Sequence, residues 1–167
     1  MSSGRPRCEH PALSTRSVLV RGWILLSIAL LAGCQANGHT SRAFVDFEGH
    51  RYFVDIADDD QSRARGLMFV DEMADNHGMF FIFPREAPRS FWMRNTRIPL
   101  DIIYLDRDLQ VVSISEDTPP CRIRRCPSYP SDAPAQFVLE LNAGQAAAIG
   151  LAPGEQIQLG NIELPRR

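Results

Sequence analysis

Leu100-Asp101-Ile102-Ile103-Tyr104-Leu105, the turn Asp106-Arg107-Asp108-Leu109, and Val111-Val112-Ser113-Ile114 decide the fold. Two short runs rich in β-branched residues, parted by a polar turn, read as a hairpin. The same pattern recurs on either side. Downstream, Gln136 to Leu141 (QFVLEL) puts Phe137, Leu139 and Leu141 on one face of a strand. Upstream, Met79 to Phe83 (MFFIF) is an apolar strand closed by Pro84, and Phe91 to Met93 starts another. Ala43 to Ala57 holds two apolar runs around Glu48-Gly49-His50, a hairpin with Gly in its turn. In its second run Tyr52, Val54 and Ile56 alternate with Phe53 and Asp55, a half-buried strand pattern. A last strand is expected near Gln156 to Leu159, after the Pro153-Gly154 turn.

Two short helices complete the reading. Asp58-Asp59-Asp60 offers capping carboxylates for one that Gly66 interrupts or ends. Asn142 is the expected cap of an Ala-rich turn that stops at Gly150. Residues Glu116 to Pro134 read as a Pro-rich loop. Turn signals every eight to twelve residues therefore predict a mainly β fold, an antiparallel β-sandwich or barrel-like domain with two short helices.

Composition narrows function. The chain has 167 residues, 44% apolar and 23% charged, with a net charge of −2. All 18 basic residues are Arg. There is no basic excess to neutralise a phosphate backbone, so nucleic acid is not an expected partner.

The amino end reads as an address. Arg16 and Arg21 precede the apolar run Gly22 to Leu31, whose ten residues would rise only about 15 Å as a helix, half a bilayer core. Leu31-Ala32-Gly33-Cys34 matches the bacterial lipobox. That resemblance implies a lipoprotein signal over residues 1–33, cleavage before Cys34 and lipidation of its thiol. Residues 34–43 then read as a flexible tether, and 44–167 as one β-rich domain. The expected location is the cell envelope, facing the periplasm. The resemblance to enterobacterial lipoproteins, in which an Asp after the Cys marks retention in the inner membrane, implies the outer membrane for a chain with Gln35. Without residues 1–33 the chain keeps 14 arginines against 19 acidic residues.

Three blocks carry a family resemblance. Phe91-Trp92-Met93-Arg94-Asn95-Thr96-Arg97-Ile98-Pro99-Leu100-Asp101-Ile102-Ile103 is the longest. Arg65-Gly66-Leu67-Met68-Phe69 with Gly78-Met79-Phe80-Phe81 precedes it. Cys126-Pro127-Ser128-Tyr129-Pro130-Ser131 and Val138-Leu139-Glu140-Leu141-Asn142-Ala143-Gly144 come after it. Together they resemble domain of unknown function family one-ninety-two over about residues 44 to 160. The resemblance implies a compact β-sandwich-like domain and no particular activity. Val70 departs from it, since many members carry Arg there.

The candidate ligand-binding residues are Arg65, Trp92, Arg94, Asn95 and Asp101. On a strand Trp92, Arg94 and Thr96 share a face. A flat aromatic wall, a guanidinium fork and an orienting amide suit a small polar ligand. Asp101 is placed to pair with Arg94 or Arg65, and the same groups would equally serve as a buried scaffold. Two other classes compete. A hydrolase or lyase would use Asp101 or Glu140 with Arg94, since both carboxyls sit inside apolar strands where desolvation raises a pKa. A soft-metal (copper) protein would use Met68, Met73, Met79, Met93 and His77, residues that fill cores as readily. Cys121 and Cys126, with Arg122, Arg124 and Arg125 between them, most simply form a disulfide in an oxidising compartment. No cofactor is expected. The leading expectation is a lipid-anchored envelope domain that binds a small ligand or a protein partner.

Overall fold

The computed structural model describes residues 42–165. The expected leader, Cys34 and the tether as far as Ser41 lie outside the described residues. In chain order the elements are β1 (Phe44–Phe47), β2 (His50–Ala57), α1 (Asp60–Arg65), β3 (His77–Ala87), β4 (Ser90–Trp92), β5 (Leu100–Leu105), β6 (Val111–Thr118), β7 (Ser128–Pro130), β8 (Ala135–Asn142), α2 (Gln145–Ala148) and β9 (Gln158–Gly160).

Local chemistry sets the ends. The β1–β2 hairpin turns on Glu48 and Gly49, both at positive φ, which matches the twist of paired strands. At α1 the Asp59 carboxylate accepts the amides of Gln61 and Ser62, and the Ser62 hydroxyl accepts the Asp59 amide in return. Gly66 ends the helix at φ +47.

Seven strands form one sheet in the order β6-β5-β8-β3-β2-β1-β9. Every pairing in it is antiparallel except β2 with β3. That exception comes from α1 and its loop, which return the chain to the level where β2 began and let β3 run beside it. The sheet curls until its two outer strands approach. Val111 donates to the Glu155 carbonyl at 2.8 Å, Gly154 to Val111 at 2.8 Å and Ile157 to Leu109 at 3.1 Å. The result is barrel-like and mainly β, with two short helices, as the sequence predicts.

Details differ from expectation for physical reasons. β3 does not stop at Pro84 but runs on to Ala87. The register with β8 breaks between Ile82 and Ala87, so the missing proline amide costs no ladder bond there. The loop from Glu116 holds a strand, β7, which pairs with β4 in a separate two-stranded sheet. Asn142 does not cap α2: its amide donates to the Met73 carbonyl at 2.9 Å, and Gly144 is the cap residue.

Each face of the sheet carries a core. Phe80, Ile82, Ile103, Leu105, Phe137, Leu139 and Leu141 belong to the cluster on one face. Phe81, Leu100, Ile102, Tyr104 and Val138 belong to the other. Leu67, Met93 and Cys121 join that second cluster, with Phe91 and Tyr129 of the small sheet packed against it. Covering both faces explains why every residue of β5 is buried. Each large apolar side chain so placed contributes roughly 1.5–3 kcal/mol. Cys121 and Cys126 are joined by a disulfide that pins the loop after β6.

Candidate functional site

A cleft of about 290 Å³ opens over the second core. One side is the end of α1 and the turn beyond it: Arg63, Arg65, Gly66, Leu67 and Met68. The other is β4 and its continuation: Ser90, Phe91, Trp92, Arg94 and Thr96. Phe81, Phe83 and Glu140 also line it. The alternation read from sequence therefore holds, since Trp92, Arg94 and Thr96 face one space while Met93 points into the core.

Glu140 is the unusual member. It lies on β8 beside Met79 of β3 and Ile102 of β5. Only 5% of it is exposed, and its Oε2 has no hydrogen-bond partner among the described residues. Burial pushes its pKa up to about 8, so the carboxyl is largely protonated at neutral pH. Gly66 sits directly above: a Cβ there would come 3.3 Å from the Phe81 ring and 4.0 Å from Glu140 Oε2. Its positive φ and missing side chain keep the approach to the carboxyl open.

The arginines divide by partner. Arg63 donates to the carbonyls of Asp58 and of Ile82, the latter at 2.8 Å, and pairs with Asp60 at 2.6 Å. It is a structural wall. Arg65 and Arg94 are exposed, and their guanidiniums make no hydrogen bond or ion pair with the described residues. Arg94 lies 5.6 Å from the Trp92 ring centroid, a cation–π contact. Phe91 meets Phe81 edge-on at 5.0 Å and Tyr104 at 6.0 Å, which fixes the aromatic side of the cleft.

Two sequence candidates lie elsewhere. Asn95 adopts φ +59 and lines a separate depression with Phe69, Asp71, Arg97 and Arg122. Asp101 is fully buried and pairs with neither Arg94 nor Arg65. Its Oδ1 accepts the Asp117 amide and its Oδ2 the Ala146 amide, each at 2.9 Å. It ties β5 to the end of β6 and to α2.

The same register bears on chemistry. Asp101 stands opposite Leu141, and Glu140 opposite Ile102, one step along. Neighbouring positions alternate across a sheet, so the two carboxyls face opposite sides and cannot act as a pair. Met73, Met79 and Met93 pack in or against the second core, and the ring nitrogens of His77 contact Arg42 and Asn76. Among the described residues no group of three His, Cys, Asp or Glu side chains is placed to hold a metal ion.

The sequence offers Glu140 as a catalytic candidate but not as a ligand contact, and does not point to Gly66 or the phenylalanines as lining. A charged residue inside Phe137-Val138-Leu139-Glu140-Leu141 was the available signal.

A family model described as Uncharacterized ACR, DUF192, matches residues 43–159. No curated protein matches the chain. Two solved structures are similar. One is a protein of unknown function from Novosphingobium aromaticivorans, 36% identical, TM-score 0.63, covering 70% of this chain and 82% of that one. The other, from Sinorhizobium meliloti, is described provisionally as a transcription regulator. It is 33% identical with TM-score 0.63, covering 71% of this chain and 92% of that one.

Proposed function

We propose, from the premise that the chain belongs to the DUF192 family of uncharacterised proteins, that it is a lipid-anchored envelope domain binding a small organic anion in the cleft. The observation that carries this reading is the buried Oε2 of Glu140, without a partner among the described residues, in a cleft that also holds two guanidiniums with no ion pair to those residues. A buried polar atom without a partner costs roughly 1–3 kcal/mol, which a ligand hydrogen bond would relieve. Arg65 and Arg94 would take a carboxylate or phosphate of the ligand in forked, charge-assisted bonds. Trp92 and Phe91 would give its apolar body a wall. The neutral carboxyl of Glu140 would bond its polar end. Aromatic walls with a few convergent polar groups are the ordinary make-up of small-molecule sites.

Of the hydrolase or lyase reading with Asp101 or Glu140 beside Arg94, Asp101 faces the other side of the sheet, and Glu140 is the one carboxyl among the described residues that lines the cleft with Arg94, so none of them offers a second carboxyl there to act with it. Nucleic acid is not proposed, given the net charge of −2.

Native mass spectrometry of the purified protein, followed by thermal-shift titration with small carboxylates and phosphates, tests the proposal. A retained or added anion should raise Tm, and Arg94→Ala should weaken it at least tenfold while leaving the unliganded Tm within about 2 °C. No binder, or a binder indifferent to both Arg94→Ala and Arg65→Ala, would count against it.

A further inference from the structure

The Cys121–Cys126 loop and the segment Trp92 to Arg97 lie together. Arg94 bridges to Cys121, and the Asn95 amide donates to the Cys121 carbonyl at 3.0 Å. The loop after α1 joins them, because the Phe69 amide donates to the Asn95 carbonyl at 2.9 Å. Residues 92–97 and 121–126 hold five arginines, at 94, 97, 122, 124 and 125, and no acidic residue. All five are exposed. The loop 66–72 brings two exposed carboxylates, Asp71 and Glu72, and Asp71 pairs with Arg97 at 2.7 Å, so the three segments together keep an excess of three positive charges. These three adjoining segments carry three of the four exposed large hydrophobics among the described residues: Phe69 at 55%, Trp92 at 51% and Ile123 at 67%.

We infer that this surface docks on an anionic phospholipid bilayer. Arginines around protruding aromatic and aliphatic side chains suit a membrane interface, where guanidiniums meet headgroup phosphates and apolar tips enter the acyl boundary. The chain is otherwise acidic, so the concentration of positive charge is local. The disulfide holds Arg122, Ile123, Arg124 and Arg125 in a closed loop, which reduces the ordering cost of docking. Placement agrees. Arg42, the first described residue, bonds through its guanidinium to His77, where β3 begins. The loop after α1 enters β3 there, and the loop before β5 opens at the same end of the sheet, since Gly78 and Leu100 lie opposite Leu141 and Asn142 of β8.

The orientation rests on the proposed acyl anchor, while the surface itself does not. Eight residue steps from Cys34 to Arg42 span at most about 29 Å. A domain so tethered meets the bilayer at a millimolar effective concentration, and weak docking would then suffice.

The test uses the lipidated mature protein, residues 34–167, in vesicles of phosphatidylcholine alone, or with about one third phosphatidylglycerol. Backbone hydrogen exchange is followed for residues 66–72, 92–97 and 121–126. The expected result is exchange at least tenfold slower in the anionic vesicles at exposed amides of these segments, with the difference lost in high salt. The variant Arg122→Glu/Arg124→Glu/Arg125→Glu should abolish it with Tm unchanged, and Ile123→Ser should reduce it. Equal exchange in both vesicles, or protection that survives the triple substitution, would overturn the inference. Protection by a polyglutamate peptide but not by anionic lipid would also overturn it, in favour of an acidic protein partner. The triple variant leaves Arg65, Arg94 and Glu140 in place, so this result does not depend on whether the cleft binds an anion. Flotation of the unlipidated mature chain, residues 34–167 carrying Cys34→Ala, with anionic against neutral vesicles separates failure of the anchor from failure of the surface.

Discussion

Glu140 is a carboxyl that the fold holds in its neutral form. Its pKa in the folded protein, about 8, lies above the ordinary 4.5, so the folded protein keeps a proton that the unfolded chain releases. Between those two values the unfolded state binds fewer protons, and stability falls as pH rises, levelling off above about 8. At about 1.4 kcal/mol per pH unit, the loss amounts to a few kcal/mol. Glu140→Gln keeps the shape and carries no charge at any pH. Urea denaturation at pH 5 and pH 8.5 should show the parent protein losing stability between the two and the variant losing almost none. A parent protein equally stable at both values would mean that Glu140 ionises freely. Its neighbour Gly66 was legible only as a helix breaker. Its closeness to the carboxyl depends on how α1 meets β3 and β8, which no local pattern encodes.

At the scale of elements, Asp101 and α2 make one unit. The helix has four residues and a glycine cap with no side-chain bond, so alone it would be marginal. Asp101 reaches from β5 to accept the Ala146 amide, which does the work of a capping side chain from a different strand. Its other oxygen holds the Asp117 amide, at a residue with positive φ. Asp101→Ala would strand the buried Ala146 amide and free the part-buried Asp117 amide, for a loss of about 1–3 kcal/mol. Thermal melting should register that drop, and Asp101→Asn, which keeps one acceptor, should lose less. Arg94→Ala should barely move Tm, so the pair of variants separates scaffold from site. Sequence alone placed Asp101 among the ligand residues because it stands close after Arg94 and sits in an apolar strand. What it could not supply was the inter-strand register that turns Asp101 and Glu140 to opposite faces. Hairpins such as β5–β6 were legible because a short turn fixes their register, whereas the β5–β8 pairing joins segments far apart in the chain.

For the whole molecule, the two ends of the described domain hold each other. β1 pairs with β9, and the Phe44 ring lies across Gly160, where a Cβ would come within 2.0 Å of it. Gly160→Ala therefore needs the ring to leave its place on the sheet, and should cost more than the roughly 0.5–1 kcal/mol span of ordinary strand substitutions. The chain before β1 leads back to Cys34, and every proposal about location turns on that thiol. A thioether-linked diacylglycerol with a further amide-linked chain would bury tens of methylenes at about 0.8 kcal/mol each, which is effectively permanent attachment. No helix among the described residues is long and apolar enough to cross a membrane, so the domain itself supplies no helical anchor there. Intact-mass measurement should therefore find a mature protein that begins at Cys34 and carries the added acyl mass. Cys34→Ala should lack that mass and shift the protein from the detergent-extracted to the soluble envelope fraction. An intact leader on the parent protein, or a free thiol at Cys34, would remove the anchor. The cleft would then have to be sought in another compartment, with its lining of Arg65, Arg94 and Glu140 unchanged.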